Sequence, residues 1–248
     1  MTPILEVENL TMHFGMITAA ESENVTVYEG EFVGIVGPNG AGKTTFLNLV
    51  TGYLRPQAGR VRFRGRDLIG LHPNQVTALG IGRSFQIPQL FAGLSVLENV
   101  LVALAMADGR GGDFWRRLHE PARVEEAQRI LARFGLNGHA SRPAAELPEG
   151  GRKLLDIALA FALKPSLLLM DEPTSGVSAA EKFAVMDTLV AVLRESRVTT
   201  IFVEHDMEVV RRYADRVLVL SNGQIIADGS PAVILEDPEI RRAVAGWG

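Results

Sequence analysis

The chain has 248 residues, of which 47% are hydrophobic and 22% charged, and its formal net charge at pH 7 is −4. This composition excludes an intrinsically disordered protein and leaves room for one large α/β domain or two small lobes that share a core. The slightly acidic balance argues against a nucleic-acid partner, which needs a clustered basic face, and the absence of cysteine excludes disulfides and thiolate metal sites.

No segment has the pattern of an export signal or a membrane span. The first eight residues, Met1 to Glu8, lack a basic start and an apolar core. The longest wholly apolar stretch, Val100 to Ala107, is far shorter than the ~20 residues that a spanning helix needs. We therefore expect a soluble, cytoplasmic protein.

The first third of the chain predicts an antiparallel sheet that leads into a buried parallel strand. Leu5–Glu8 and Val25–Tyr28 alternate between apolar and polar residues, as half-buried strands do. The alternating arginines over 60–66 predict a further strand with a solvated basic side. Phe32–Val36 is almost entirely apolar, which is typical of a parallel strand covered on both faces, and 45–50 is compatible with a helix.

The segment between that strand and that helix matches the phosphate-binding P-loop, with the residues Gly37, Pro38, Asn39, Gly40, Ala41, Gly42, Lys43 and Thr44. Its glycines allow backbone N–H groups to approach phosphate oxygens, and the following helix end adds partial positive charge. Lys43 can bridge the β- and γ-phosphates, while the Thr44 hydroxyl can hold Mg²⁺. We expect this segment, together with Thr45, to bind a nucleotide triphosphate.

The rest of the chain divides into a helical middle and a return to parallel strands. From about Pro88 to Leu163 the pattern is helical, apart from a Gly/Asp-rich interruption at 108–113. Apolar strands are then expected at 167–170, 200–203 and 217–220, with a core-facing helix at 181–194 and a hairpin turn at Asn222-Gly223.

The predicted fold class is α/β, a P-loop nucleotide hydrolase with a RecA-like parallel sheet, an N-terminal antiparallel β subdomain and an inserted helical lobe. We assign the whole chain, 1–248, to one domain. Its nucleotide-binding core comprises 1–87 and 164–230, the helical lobe comprises 88–163, and 231–248 form a C-terminal helical tail.

Polar side chains follow two of the apolar strands, at the edge where parallel sheets bind ligands. Asp171 and Glu172 come after 167–170, so Asp171 can contact Mg²⁺ and Glu172 can polarise the water that attacks the γ-phosphate. His205 follows 200–203 and can orient that water and the γ-phosphate. Each pattern alone is common at the end of a strand, and the P-loop favours the catalytic interpretation.

The order of these elements, with Gln86 and the stretch Leu147–Arg152 between them, resembles that of ABC transporter ATPase subunits over essentially the whole chain. Gly82–Phe91 and Ser95–Val100 are most similar to the ATP-binding subunits of branched-chain amino-acid importers, and the ending is similar too. Urea-type or amide importers and lipopolysaccharide-export ATPases share much of this pattern and stay open as alternatives. The resemblance implies ATP hydrolysis that powers the import of branched-chain or other hydrophobic amino acids, with ATP and Mg²⁺ as ligands.

The resemblance also implies roles for single residues. Gln86 would complete the magnesium and water shell and couple it to the helical lobe. Phe14 would stack on adenine, although a role in the core is an equally open interpretation. Gly150 would keep the backbone of the signature stretch close to the nucleotide of a partner subunit.

The implied partners are a second ABC ATPase subunit, integral membrane permease subunits and, indirectly, a substrate-binding protein, with no nucleic acid. The chain would then lie on the cytoplasmic face of the inner or plasma membrane. A non-transport ABC ATPase that acts on nucleic acid or ribosomes is a less favoured alternative, because such proteins usually carry coiled-coil insertions or tandem nucleotide domains.

The signature stretch departs from the family pattern, in which Ser, Gly, Gly and then Gln or Glu follow the leucine. Here Pro148 supplies no hydroxyl and Glu149 adds a negative charge, while Ser178 replaces a frequent Asp. In the head-to-tail dimer of this family, each nucleotide lies between one subunit's P-loop and the other's signature. We therefore expect a heterodimer in which the site with Lys43 and Glu172 hydrolyses ATP faster than the reciprocal site.

Overall fold

A computed structural model describes residues 2–107 and 118–245. The Gly/Asp-rich interruption expected at 108–113 lies outside the described residues, as do the last three residues of the expected C-terminal tail. No helix among the described residues combines the length and the hydropathy that a membrane crossing requires.

The strands and helices alternate along most of the chain, as expected of an α/β protein. The strands are β1 (Pro3–Phe14), β2 (Ile17–Tyr28), β3 (Phe32–Val36), β4 (Ala58–Phe63), β5 (Arg66–Asp67), β6 (Ile81–Ser84), β7 (Leu167–Asp171), β8 (Thr199–Val203), β9 (Arg216–Ser221) and β10 (Gln224–Gly229). The helices are α1 (Lys43–Val50), α2 (Pro73–Ala78), α3 (Val96–Ala107), α4 (Pro121–Arg133), α5 (Glu149–Ala162), α6 (Lys182–Glu195), α7 (Met207–Tyr213), α8 (Pro231–Ile234) and α9 (Pro238–Ala245).

The described strands form two sheets, which confirms the expected pairing of an antiparallel sheet with a mainly parallel one. The antiparallel sheet has the order β2-β1-β4-β5. The larger sheet has the order β10-β9-β3-β8-β7-β6, and only the edge strand β10 runs antiparallel to its neighbour. The hairpin expected at Asn222-Gly223 joins β9 to β10, and both residues have the positive φ that a type I′ turn requires.

The larger sheet is apolar because it is covered on both faces. Phe32 and Val36 of β3 pack into a core with α3 to α7, whereas Val33 and Ile35 pack into a second core with α1 and the antiparallel sheet. Residues of β7, β8 and β9 alternate between the two cores in the same way. The segment 37–42, which matches the P-loop pattern, follows the carboxyl end of β3 and lies against the carboxyl end of β9.

The described part of 88–163 contains helices and short 3₁₀ turns, with only an isolated bridge between Ser95 and Pro143. The helix expected at 181–194 is observed as α6, one residue further on. Met186, Leu189 and Leu193 are buried on its core-facing side, as are Val185 and Val192, whereas Phe183 and Val190 are only partly buried.

Candidate nucleotide-binding and catalytic site

The P-loop connects the end of β3 to the start of α1 and is tightly packed against two other strands. A Cβ atom at Gly42 would lie 2.2 Å from the Ala19 carbonyl oxygen of β2, and one at Gly37 would lie 2.1 Å from the Leu220 carbonyl oxygen of β9. Both glycines have positive φ, of 106° and 152°. The neighbouring backbone therefore requires glycine at both positions, independently of any contact with a phosphate.

Lys43 folds back over the loop from the first residue of α1. Its Nζ donates to the carbonyl oxygens of Gly37 and Pro38, each at 2.7 Å, and the side chain is buried. Burial lowers the pKa of Lys43 below its ordinary value, while the carboxylates of Glu172 and Asp171 act in the opposite direction. The lysine and these two acids therefore share one electrostatic site.

The other P-loop residues surround this lysine. Asn39 and Gly40 form the exposed tip of the loop, and Ala41 is buried, with its carbonyl oxygen accepting from the Gly223 N–H at 3.0 Å. Thr44 and Thr45 follow in the first turn of α1, where Thr44 is exposed and Thr45 half-buried. Their hydroxyls accordingly stand at the amino end of the helix.

Two predicted site residues, Gln86 and His205, both bind the carboxylate of a third, Glu172. The Gln86 side-chain amide donates to Glu172 Oε2 at 2.7 Å, and His205 Nε2 is hydrogen-bonded to Glu172 Oε1. The Glu172 side chain is largely buried, whereas Gln86 and His205 are exposed. Glu172 also has a φ of 50°, an uncommon value for a residue other than glycine, at the turn that follows β7. Both of its oxygens are thus held in one orientation.

Asp171, at the end of β7, is buried beside an arginine that sequence reasoning missed. Arg83 Nη2 lies 3.3 Å from Asp171 Oδ2, and its Nη1 donates to Asn48 Oδ1 at 2.6 Å and Thr51 Oγ1 at 3.1 Å. Burial raises the pKa of Asp171, and the Arg83 guanidinium opposes that rise. Arg83 therefore ties the end of β7 to the far end of α1.

A second missed residue, Glu204, fixes the turn that carries His205. Its buried carboxylate accepts from the Thr174 N–H at 2.9 Å, the Thr174 hydroxyl at 2.7 Å and the His205 N–H at 3.2 Å. Burial raises the pKa of Glu204, and these hydrogen bonds act against it. Asp206 then caps α7 by accepting from two backbone N–H groups, and it pairs with Lys182.

The signature stretch starts helix α5, with Pro148 at the N-cap. Gly150 is buried, and a Cβ there would lie 3.1 Å from the Val185 side chain, so a larger residue would have to displace that side chain by a few tenths of an ångström. The negative charge of Glu149 is paired with Arg152 one turn further along. Ser178 donates through its hydroxyl to Glu181 at 2.8 Å.

Two charged residues of α5 are buried and contact the Gln86 segment. Lys153 Nζ donates to the carbonyl oxygens of Gln86 and, at 3.1 Å, of Glu172. Asp156 accepts from the N–H groups of Phe85 at 3.1 Å and Gln89 at 2.8 Å. Charged residues on the core-facing side of an otherwise apolar helix were the available signal for this contact, and sequence reasoning did not use it.

Phe14 lies apart from these groups, at the tip of the β1–β2 hairpin. Its side chain is 45% exposed, so it does not belong to the core. Strand β2 runs from this tip to Ala19, whose carbonyl oxygen faces Gly42. No side-chain hydrogen bond or ion pair joins Phe14 or Gly150 to Gln86, Glu172 or His205 in the part of the chain that the structure describes.

A protein-family model described as ABC transporter matches residues 21–175. The high-affinity branched-chain amino acid transport ATP-binding protein LivG of Escherichia coli (strain K12) is 37% identical over 252 residues, which cover 98% of each chain. The corresponding protein BraF of Pseudomonas aeruginosa is 35% identical over 251 residues, again 98% of each chain. The matched ranges include the P-loop and the acids Asp171 and Glu172 at the end of β7.

Solved structures with the same architecture are also found. The ADP conformation of MJ1267, an ATP-binding cassette of an ABC transporter, has a TM-score of 0.88 at 32% identity and covers 99% of this chain and 100% of that chain. A dimeric post-hydrolysis state of the ATP-binding cassette MJ0796, bound to ADP and Pi, has a TM-score of 0.78 at 27% identity and covers 92% and 99%. These similarities confirm the predicted fold.

Proposed function

Because this chain belongs to the ABC transporter family, as an ATP-binding subunit that couples ATP hydrolysis to transport, we propose that it powers the import of branched-chain amino acids. The relatives LivG and BraF, which match over 98% of the chain, are named for that transport. The observation that carries the catalytic part of the proposal is the meeting of Gln86 and His205 on the carboxylate of Glu172, close to Lys43.

ATP would lie against the P-loop, with the Lys43 ammonium and the backbone N–H groups at the start of α1 holding its phosphates. Phe14 would stack on the adenine ring, for which its exposed position at the hairpin tip leaves it accessible. Thr45, in the first turn of α1, would contact the same phosphates from the helix. These roles use residues 14 and 37–45, and they assign the nucleotide to the carboxyl edge of the larger sheet.

The donor set at this edge fits Mg²⁺, which prefers oxygen ligands. Asp171 Oδ2 faces Arg83, while no donor among the described residues engages Oδ1. Thr44, Asp171 and Gln86 would hold the ion, and Mg²⁺ bound with ATP supplies positive charge that neutralises phosphate oxygens. Burial raises the pKa of Asp171, and the Arg83 guanidinium opposes that rise, which favours the ionised form that the ligand role requires.

The hydrolytic step rests on Glu172. Its carboxylate would accept a proton from the water that attacks the γ-phosphate, as a general base. Gln86 holds Oε2 and His205 holds Oε1, so the plane of the carboxylate is set before the nucleotide reacts. His205 would further orient the γ-phosphate, and Lys43 would stabilise the charge on it.

Transport requires partners that this chain does not contain. We propose that it pairs head to tail with a second ABC ATPase, so that Gly150 and the signature helix α5 contact the partner's nucleotide. The helical segment 88–163 would receive the membrane permease subunits, which hold the chain at the cytoplasmic face of the membrane, and a substrate-binding protein would deliver the amino acid to them.

The test is purification of the tagged chain from membranes of its own organism, followed by amino-acid uptake into cells that carry variants. We expect integral membrane subunits to co-purify, and we expect Glu172→Gln to lower uptake of leucine, isoleucine and valine at least about a hundredfold. Glu195→Gln, which neutralises an exposed carboxylate at the far end of α6, serves as the matched control and retains uptake.

Loss of urea or amide uptake instead, or of lipopolysaccharide export, would assign the chain to those transporters. Recovery only with ribosomes or nucleic acid would contradict a role in transport.

A further inference from the structure

Helix α5 contacts the segment that carries Gln86 at two points. Asp156 binds the backbone N–H groups of Phe85 and Gln89, which flank Gln86, at 3.1 and 2.8 Å. Lys153, three residues earlier on the same helix, donates to the carbonyl oxygen of Gln86 itself. The segment 85–89 is thus fixed to α5 through its backbone, which leaves the Gln86 side chain free to bind Glu172.

Lys153 also contacts the backbone of Glu172, the residue that the Gln86 side chain binds. The same Nζ donates to the carbonyl oxygen of Glu172 at 3.1 Å. Among the described residues, Lys153 is the only one whose side chain donates hydrogen bonds to the backbone of both Gln86 and Glu172. Lys153 is 2% exposed and Asp156 is 6% exposed, so these contacts are shielded from competing water.

The signature stretch lies at the amino end of α5, close to these two residues. Glu149 and Gly150 form its first turn, and Lys153 lies four residues, or about 6 Å of helix rise, beyond Glu149. A helix is stiff over such a distance, so a displacement of the signature turn moves Lys153 and Asp156 with it.

We propose that Lys153 and Asp156 form a clamp through which the signature helix positions Gln86 and Glu172, so that contact of this chain's signature with the partner's nucleotide alters hydrolysis at its own site. Lys153 and Asp156 are positioning residues, because they act through the backbone of the two groups that would touch water and phosphate. The proposal rests on the proposed function and adds to it a route between the two nucleotide sites.

The first test compares ATP hydrolysis by the assembled transporter carrying wild-type chain, Lys153→Met or Lys153→Arg. We expect Lys153→Met to lower kcat about tenfold to a hundredfold, because a misplacement of about 1 Å has such an effect. The KM for ATP should change less than about threefold, since the P-loop is untouched. Lys153→Arg should recover most of the rate, because a guanidinium can donate to both carbonyl oxygens.

A second set of variants separates positioning from general loss of stability. Arg123→Met removes another buried cation of the helical segment, one that touches neither Gln86 nor Glu172, and we expect its kcat to match that of the wild type. Combining Lys153→Met with Glu172→Gln should lower the rate no further than Glu172→Gln alone, because the lysine acts through that carboxylate. Asp156→Asn should speed hydrogen exchange of the Phe85 and Gln89 amides.

The outcomes distinguish the two proposals. An active wild type together with an unchanged kcat in Lys153→Met overturns the clamp alone, as does an equal loss of kcat in Arg123→Met. Additive losses in the double variant also overturn it. An assembled wild type that hydrolyses no ATP overturns the proposed function and the clamp together.

Discussion

Glu23 is an acid in the apolar core between the antiparallel sheet and α1. It lies on β2 opposite Leu10, on the same face as Val25 and Val27, and it is 2% exposed. Neither carboxyl oxygen has a hydrogen-bond partner among the described residues. Burial therefore raises the pKa of Glu23 from its ordinary value of 4.5 to about 8.

This residue predicts a fall in stability as the pH rises. Between pH 4.5 and 8 the folded chain keeps the Glu23 proton that the unfolded chain releases, so the free energy of unfolding decreases by about 1.4 kcal/mol per pH unit. Below pH 4.5 Glu23 is protonated in both the folded and the unfolded chain, so its contribution no longer depends on pH. Above pH 8 both states have lost the proton, and the free energy of unfolding falls no further on account of Glu23. Denaturant unfolding at pH 5 and pH 8 measures this slope.

Glu23→Leu and the isosteric Glu23→Gln remove the titrating group. We expect the stability difference between Glu23→Leu and wild type to grow by on the order of 3 kcal/mol between pH 5 and pH 8, and Glu23→Gln to remove the same slope. A wild-type slope that persists in both variants would show that another group is responsible.

Single residues could be predicted from the sequence where a local pattern carries the chemistry. Lys43 lies in a contiguous motif, and Asp171, Glu172 and His205 each follow an apolar strand. Arg83 could not be predicted in this way, since its partner Asp171 is 88 positions away and nothing near it in sequence indicates the pair. Lys153 and Asp156 could have been singled out as charged residues on the buried side of α5, but their partners could not, because backbone atoms leave no trace in the pattern of side chains.

At the scale of elements, the conformation of the P-loop is constrained by the strands that pack against it. Gly42 lies against the Ala19 carbonyl oxygen with a φ of 106°, so Gly42→Ala would add a clash to an unfavourable backbone conformation. Gly40→Ala is the matched control, because Gly40 has a φ of 79° and a Cβ added there would meet no atom within 4 Å.

We expect Gly40→Ala to cost about 1–2 kcal/mol of unfolding free energy, the cost of the left-handed conformation. Gly42→Ala should cost about 2 kcal/mol more, because the loop must move away from β2. Thermal or denaturant unfolding without nucleotide measures both. If both variants lost the same unfolding free energy, the loop would accommodate a Cβ beside the Ala19 carbonyl oxygen without further destabilisation, which would contradict this prediction.

Elements could be predicted more fully than their arrangement. Apolar runs predicted β3, β7, β8 and β9 within one or two residues, because strands covered on both faces need no alternation. The order β10-β9-β3-β8-β7-β6 was not predictable, since pairing of β3 with β8 joins segments more than 160 residues apart. The P-loop packs between β2 and β9 because of that strand order. Since the order could not be predicted, the packing of the P-loop could not be predicted either.

At the scale of the whole molecule, the altered signature predicts unequal nucleotide sites. Pro148 cannot donate a hydrogen bond, and Glu149 is held beside Arg152 at the start of α5, where a partner's triphosphate would approach. We expect Lys43→Ala in this chain to lower transporter ATPase activity at least about tenfold, and the equivalent change in the partner to lower it less than about threefold.

ATP turnover by the two singly substituted transporters is the measurement. Lys164→Ala, which truncates an exposed lysine that has no side-chain partner among the described residues, controls for loss of a surface charge and retains full turnover. Equal losses from the two P-loop changes would mean that the sites contribute equally.

The central sheet stands between two apolar cores, and successive residues of its inner strands face opposite sides. Deleting or inserting one residue within β7 would exchange the side chains assigned to each side and rotate Asp171 away from Arg83. We therefore expect length differences between relatives to fall in the connections rather than within these inner strands.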